Sequence, residues 1–86
     1  MIIKRTAKFK KQYKKLPIKI QLQFDDRLRL YVVRPDDVML NVHMLKGKYA
    51  GYWSLNVSGD FRALYQKNGE TIIIFGLIGT HSQLYG

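Results

Sequence analysis

The chain has 86 residues, no cysteine and a formal charge of +9, from 15 Lys/Arg against 6 Asp/Glu, so one domain with neither disulfide staple nor thiolate metal cluster is expected. Its longest apolar run is strand-length, short of the ~18–20 residues that cross a membrane, and Met1-Ile2-Ile3-Lys4-Arg5 lacks the apolar core of a signal peptide. We therefore expect a soluble cytoplasmic protein with no membrane partner, whose positive excess attracts nucleic acid or an acidic protein.

Met1 to Thr6 reads as a short strand anchored by Ile2 and Ile3. From Ala7 to Leu16, the residues Phe9, Tyr13 and Leu16 recur at helical spacing, with Thr6 as N-cap. Lys8, Lys11 and Lys15 belong to a run of basic residues that precedes the first acid, Asp25. Pro17 breaks the pattern and, with its fixed φ, is expected to start a second helix. Ile20, Phe24, Leu28 and Tyr31 form that helix's stripe, flanked by Leu22 and Leu30, and Pro35 stops it near Val33. Two helices across a proline turn make an antiparallel helical hairpin. Residues 36–50 show no period and are expected to form a loop that carries His43 and Gly47 and tucks in Val42 and Leu45.

Three strands follow, at about 51–57, 60–67 and 70–78. A two-residue Ser58-Gly59 turn would pair Val57 with Asp60 and bury Asp60 and Arg62 among Trp53, Leu55 and Val57, which is costly. A three-residue Val57-Ser58-Gly59 loop pairs Asn56 with Asp60 instead and separates the faces. Trp53, Leu55, Phe61, Ala63 and Tyr65 then face the core. Tyr52, Ser54, Asn56, Asp60, Arg62 and Leu64 line a mostly polar groove. The Asn68-Gly69 turn pairs Arg62 with Phe75, making the groove floor partly aromatic. The fold class expected is α+β, a short strand and helical hairpin packed on a small antiparallel sheet.

Beyond the last strand, Gly79-Thr80-His81 delivers an imidazole to the rim of the sheet. Two histidines in so basic a chain suggest proton transfer beside an anion. With single-stranded RNA in the groove, cleavage needs a base for the ribose 2′-hydroxyl, an acid for the leaving 5′-oxygen, and cations for the charge on phosphorus. His81 fits the acid, and Asp60 or His43 the base. Arg62 fits the phosphate clamp, helped by Lys46 or Lys48, and Tyr85 can stack on a base. Each has a structural alternative: a surface histidine, Asp60 bracing Arg62, Arg62 in a cross-strand ion pair, Tyr85 covering a core edge. No metal-ligand spacing, nucleophile elbow, phosphate loop or dinucleotide fingerprint is present, so no metal or cofactor is expected.

Gly47, the run Gly59-Asp60-Phe61-Arg62-Ala63-Leu64-Tyr65, the ending Ile78-Gly79-Thr80-His81-Ser82-Gln83-Leu84-Tyr85 and the His-x-Leu-x-Gly segment at His43 together resemble the RelE/ParE toxin superfamily, above all its YafQ-like ribonuclease branch. The resemblance spans nearly the whole chain, and the order and spacing of the motifs carry it. It implies a helical hairpin against an antiparallel sheet, and a type II toxin–antitoxin system whose toxin cuts messenger RNA on the ribosome. Carried over by position, His43, Asp60 and His81 match family catalytic positions. Tyr85 falls where an aromatic aligns, and Arg62 matches a strand arginine of RelE-type relatives. Asn56 stands where YafQ-like toxins tend to carry another histidine; it can hydrogen-bond RNA but cannot titrate.

A cognate acidic antitoxin is implied as well, partly disordered alone, wrapping the basic helices and able to assemble with the toxin as a heterotetramer. Two rival readings belong to other classes. One is a ParE-like toxin that inhibits DNA gyrase without catalysis, the other a basic RNA-binding domain that uses charge alone.

Overall fold

A computed structural model describes all 86 residues, Met1 to Gly86. Strand β1 (Ile2–Arg5) leads into helix α1 (Ala7–Lys14). The Thr6 hydroxyl caps α1 by accepting the Phe9 N–H at 3.1 Å, and also donates to the Gly76 carbonyl at 3.2 Å. Helix α1 stops two residues before Leu16, because Leu16 precedes a proline and is pushed out of helical backbone. Pro17 itself has φ −53° and ψ 144°, so it is the residue before helix α2 (Ile18–Val33) rather than its first helical residue. Its carbonyl still accepts the first helical N–H groups, those of Ile20 and Gln21.

The helices cover one face of a five-stranded sheet built from β1, β2 (His43–Met44), β3 (Trp53–Ser58), β4 (Phe61–Asn68) and β5 (Ile72–Thr80), in the order β1-β5-β4-β3-β2. All neighbours are antiparallel except β1, which runs parallel to β5. Phe9, Phe24 and Tyr31 from the helices meet Leu55, Ala63, Tyr65, Ile73 and Phe75 from the sheet. Phe24 is the hub: its ring centroid lies 5.3 Å from that of Phe9 and 5.2 Å, edge-on, from that of Phe75. The segment after α2 is more ordered than a loop. Short 3-10 turns at Val38–Leu40 and Gly47–Tyr49 flank β2; Leu40 is fully buried, with the half-buried Val42 packed against the same cluster, while Leu45 is half-buried against a different one.

Both hairpins depart from the expected register. In the first, Asn56 lies opposite Arg62, not Asp60, and a bulge at Val57 brings Ser58 opposite Phe61. Gly59 (φ 51°) and Asp60 make the turn. The physical reason is Val57, which is 1 % exposed and belongs to the core with Leu55; leaving it in a surface loop would forgo about 1.5–3 kcal/mol of burial. Because the shift is two residues rather than one, every side chain keeps its expected face. In the second hairpin Gly69-Glu70-Thr71 forms the loop, Asn68 pairs with Ile72, and Gly76 is an extra residue between the Tyr65–Phe75 and Leu64–Leu77 pairs. Arg62 consequently faces Gly79 instead of Phe75, next to the chain's end.

The face away from α1 and α2 is not the open polar groove expected. Leu64, Leu77 and Leu84 form a second apolar cluster there, flanked by Leu45, Tyr49 and Tyr52. Leu84 comes from a terminal helix, α3 (His81–Tyr85), that folds back over β4 and β5.

Candidate active site

Helix α3 explains how His81 is held. Thr80-His81-Ser82-Gln83 is a capping box: the Gln83 N–H donates to the Thr80 hydroxyl at 3.1 Å, and the Thr80 N–H donates to the Gln83 side chain at 2.8 Å. A Cβ at Gly79 would lie 2.8 Å from that same Gln83 oxygen, so a side chain there would push the Gln83 amide away from its capping bond. The first hairpin fixes the helix start, since the His81 N–H donates to the Asp60 carbonyl at 3.0 Å. One helical turn then sets the His81 ring 4.7 Å from the Tyr85 ring.

Across the sheet, Asn56, Arg62 and Gly79 form one cross-strand row. His43, Ser54, Leu64 and Leu77 form a second row on the same face, two residues and so about 7 Å along the strands. The sequence-derived candidates thus divide. His81, Tyr85, Arg62, Asn56 and the backbone of Asp60 gather at the first hairpin, while His43 stands one row away on the edge strand. The Arg62 guanidinium turns back to donate to the carbonyls of Gly59 at 2.6 Å and Phe61 at 3.0 Å. It makes no ion pair with Asp60, because the chain's one salt bridge joins Arg29 to Asp26. The Asp60 carboxylate does not brace Arg62: it is exposed and unpaired.

His43 has a defined orientation. Its Nδ1 lies 2.8 Å from the Asn41 carbonyl, which can only accept, so Nδ1 is the donor of that bond and Nε2 is left outside it. The Asn56 Oδ1 is buried without a hydrogen-bond partner. Burial raises the Tyr85 phenol above its ordinary range and the neighbouring Tyr49 adds to this, whereas Arg62 pulls the other way. Tyr85 and Arg62 therefore share one local field.

Tyr49 had no place among the sequence-derived candidates. Its hydroxyl donates to the Leu84 carbonyl at 2.6 Å, and its ring meets that of Tyr85 edge-on at 5.4 Å. It ties the Gly47–Tyr49 turn to α3, so Tyr49 positions the helix that bears His81. Nothing local marks the residue; only the fold brings it 35 positions along the chain to Leu84.

Of the lysines, Lys46 begins that turn, exposed, and the Lys48 ammonium lies 5.3 Å over the Tyr49 ring. Helix α1 runs along the open edge of β5, where Gln12 accepts the Ile78 N–H at 2.9 Å. Lys8, Lys11 and Lys15 are exposed on one side of that helix, with Lys8 near Lys48 and Lys15 near Gln83. No three His, Cys, Asp or Glu side chains converge on a metal-sized site.

Residues 1–86, the whole chain, match the family described as "Bacterial toxin of type II toxin-antitoxin system, YafQ". The chain belongs to the YafQ toxin family. Solved structures similar in fold include YafQ from E. coli (TM-score 0.82, 20% identity, 98% of this chain and 97% of that one). The YoeB/ParE toxin from Agrobacterium tumefaciens is similar too (TM-score 0.76, 21% identity, 94% and 99%). So is a chain of the E. coli DinJ-YafQ complex (TM-score 0.72, 22% identity, 98% and 97%). No curated protein matches the sequence significantly. Membership in the YafQ family makes this chain the toxin of a type II toxin–antitoxin system, on a mixed α+β fold shared with those structures. No helix is long and apolar enough to cross a membrane.

Proposed function

We propose that this YafQ-family toxin is an endoribonuclease that cleaves messenger RNA on the ribosome by general acid–base chemistry without a metal. One observation supports the reading: the backbones of His81 and Arg62 are both fixed at the hairpin turn that holds Asp60, through the His81–Asp60 backbone bond and the Arg62–Gly79 pairing. The ribose 2′-hydroxyl loses its proton to Asp60 or to Nε2 of His43, and its oxygen attacks the adjacent phosphorus. Arg62 stabilises the added negative charge, and His81 protonates the departing 5′-oxygen. The products are a 2′,3′-cyclic phosphate and a 5′-hydroxyl. Asn56 contributes a hydrogen bond to the sugar or phosphate in place of a second titratable ring. Lys46, Lys48, Lys8, Lys11 and Lys15 supply sequence-independent attraction for messenger and ribosomal RNA.

The partner in the cytoplasm is a cognate acidic antitoxin, which neutralises the basic surface and closes the site, assembling with the toxin as a heterotetramer; a DinJ-YafQ toxin-antitoxin complex is among the structures similar to this chain. Expression in cells followed by mapping of transcript 5′ ends tests the function. Codon-phased cuts that vanish with His81→Gln are expected. Intact transcripts accompanied by DNA damage would support the gyrase-directed alternative instead.

A further inference from the structure

Tyr49 touches a second feature besides α3. Its ring crosses that of Tyr52 edge-on at 5.9 Å, and the two border a hollow of about 420 Å3 lined also by Lys8, Lys48, Thr6 and Gly76. The Tyr52 ring is seated over Gly76: a Cβ there would lie 3.3 Å from the ring, so the glycine lets the aromatic wall lie close to the sheet. No carboxylate lines the hollow, and neither lysine is in an ion pair. Aromatic walls, two unneutralised ammonium groups and a volume suited to a base with its phosphate occur together here. The hollow adjoins the His81 site, since the same Tyr49 ring also meets Tyr85.

We infer that this hollow is a second nucleotide subsite, holding the base of a residue that flanks the scissile linkage against Tyr49 and Tyr52, with its phosphate between Lys8 and Lys48. The assignment of a flanking nucleotide rests on the ribonuclease reading above. Aromatic faces select a nucleotide over an acidic side chain, because a carboxylate gains from the lysines but nothing from the rings. Lys48 at present lies over the Tyr49 ring and swings off it to meet the phosphate.

The test is binding to the full chain, 15N-labelled and read by NMR, with adenosine 5′-monophosphate as probe and inorganic phosphate and a poly-glutamate peptide as controls. The expected result is saturable movement of the Thr6, Lys48, Gly76 and Leu77 amides with the nucleotide, and far weaker movement with phosphate. Tyr52→Leu, which keeps an apolar side chain over Gly76 but removes the ring face, should weaken nucleotide binding about fivefold or more and raise KM for RNA by a similar factor with kcat unchanged. Equal responses to phosphate and nucleotide, stronger binding of the acidic peptide, or movement confined to His81 and Tyr85 would each overturn the subsite. Cleavage by the wild type with none of these amides moving rejects the subsite and leaves the nuclease reading intact. Nucleotide binding in the hollow without any RNA cleavage rejects the nuclease reading instead.

Discussion

The two faces of the sheet differ in what they bury. Under α1 and α2 a cluster of 11 buried residues is knit by tilted and edge-on aromatic rings. On the opposite face only 3 buried leucines hold the terminal helix, and around them lie His81, Tyr85, Arg62, Tyr49 and the lysines. The first face stabilises the fold; the second spends little on burial and keeps charges and imidazoles exposed for a ligand. Stability and activity should therefore separate by face.

The separation can be broken in order of effect. Phe24→Ala removes the aromatic hub and should cost about 3–5 kcal/mol. For a domain of this size that lowers Tm by roughly 12 °C or more, which a thermal melt would show; a fall of only a few degrees would mean the core lies elsewhere. On the opposite face, His81→Gln should cut RNA cleavage by about 10²–10⁴-fold and leave Tm within a few degrees, since the exposed imidazole makes no hydrogen bond. A Tm loss as large as that of Phe24→Ala would make His81 a structural residue.

The smallest effect concerns alkaline stability. The buried Tyr65 hydroxyl ionises above its ordinary range because burial disfavours the phenolate. In the unfolded chain it ionises near pH ~10, so above that pH the folded state holds more protons than the unfolded one and stability declines as pH rises. Urea midpoints at pH 8 and at about pH 11 should fall further for the wild type than for Tyr65→Phe, by up to ~1.4 kcal/mol per pH unit. Tyr13, raised by burial and by its 2.9 Å bond to Asp25, leaves a residual slope in the variant. Equal declines would show that Tyr65 is not protected.

The helical hairpin, strands β1, β3, β4 and β5 and the faces assigned along β3 and β4 were legible because they rest on local periodicity and on Pro17 and Pro35, whereas β2 lies in a stretch with no period. Register was not. It was set by bulges at Val57 and Gly76, and the forces behind them are tertiary: burial of one valine, and the close approach of Tyr52 to a glycine. The parallel pairing of β1 with β5 and the second apolar cluster are likewise contacts between distant residues. Helix α3 is a different case, because Thr80-x-x-Gln83 is a helix-start signal in the sequence itself, overshadowed by the neighbouring histidine. Among the candidate residues, His81, Asp60, Arg62 and Tyr85 were proposed from residue type and position alone. The corrected second-hairpin register is what brings Arg62 opposite Gly79 and so toward the terminal helix. Tyr49 emerges only from the fold.

The central claim is spatial, and a crystal structure of the toxin with a trinucleotide methylated at the attacking 2′-oxygen tests it most directly. The account predicts one phosphate within hydrogen-bond reach of both the His81 imidazole and the Arg62 guanidinium, with the blocked 2′-oxygen facing Asp60 or His43. An oligonucleotide seated with no phosphate touching His81 and Arg62 together would contradict it.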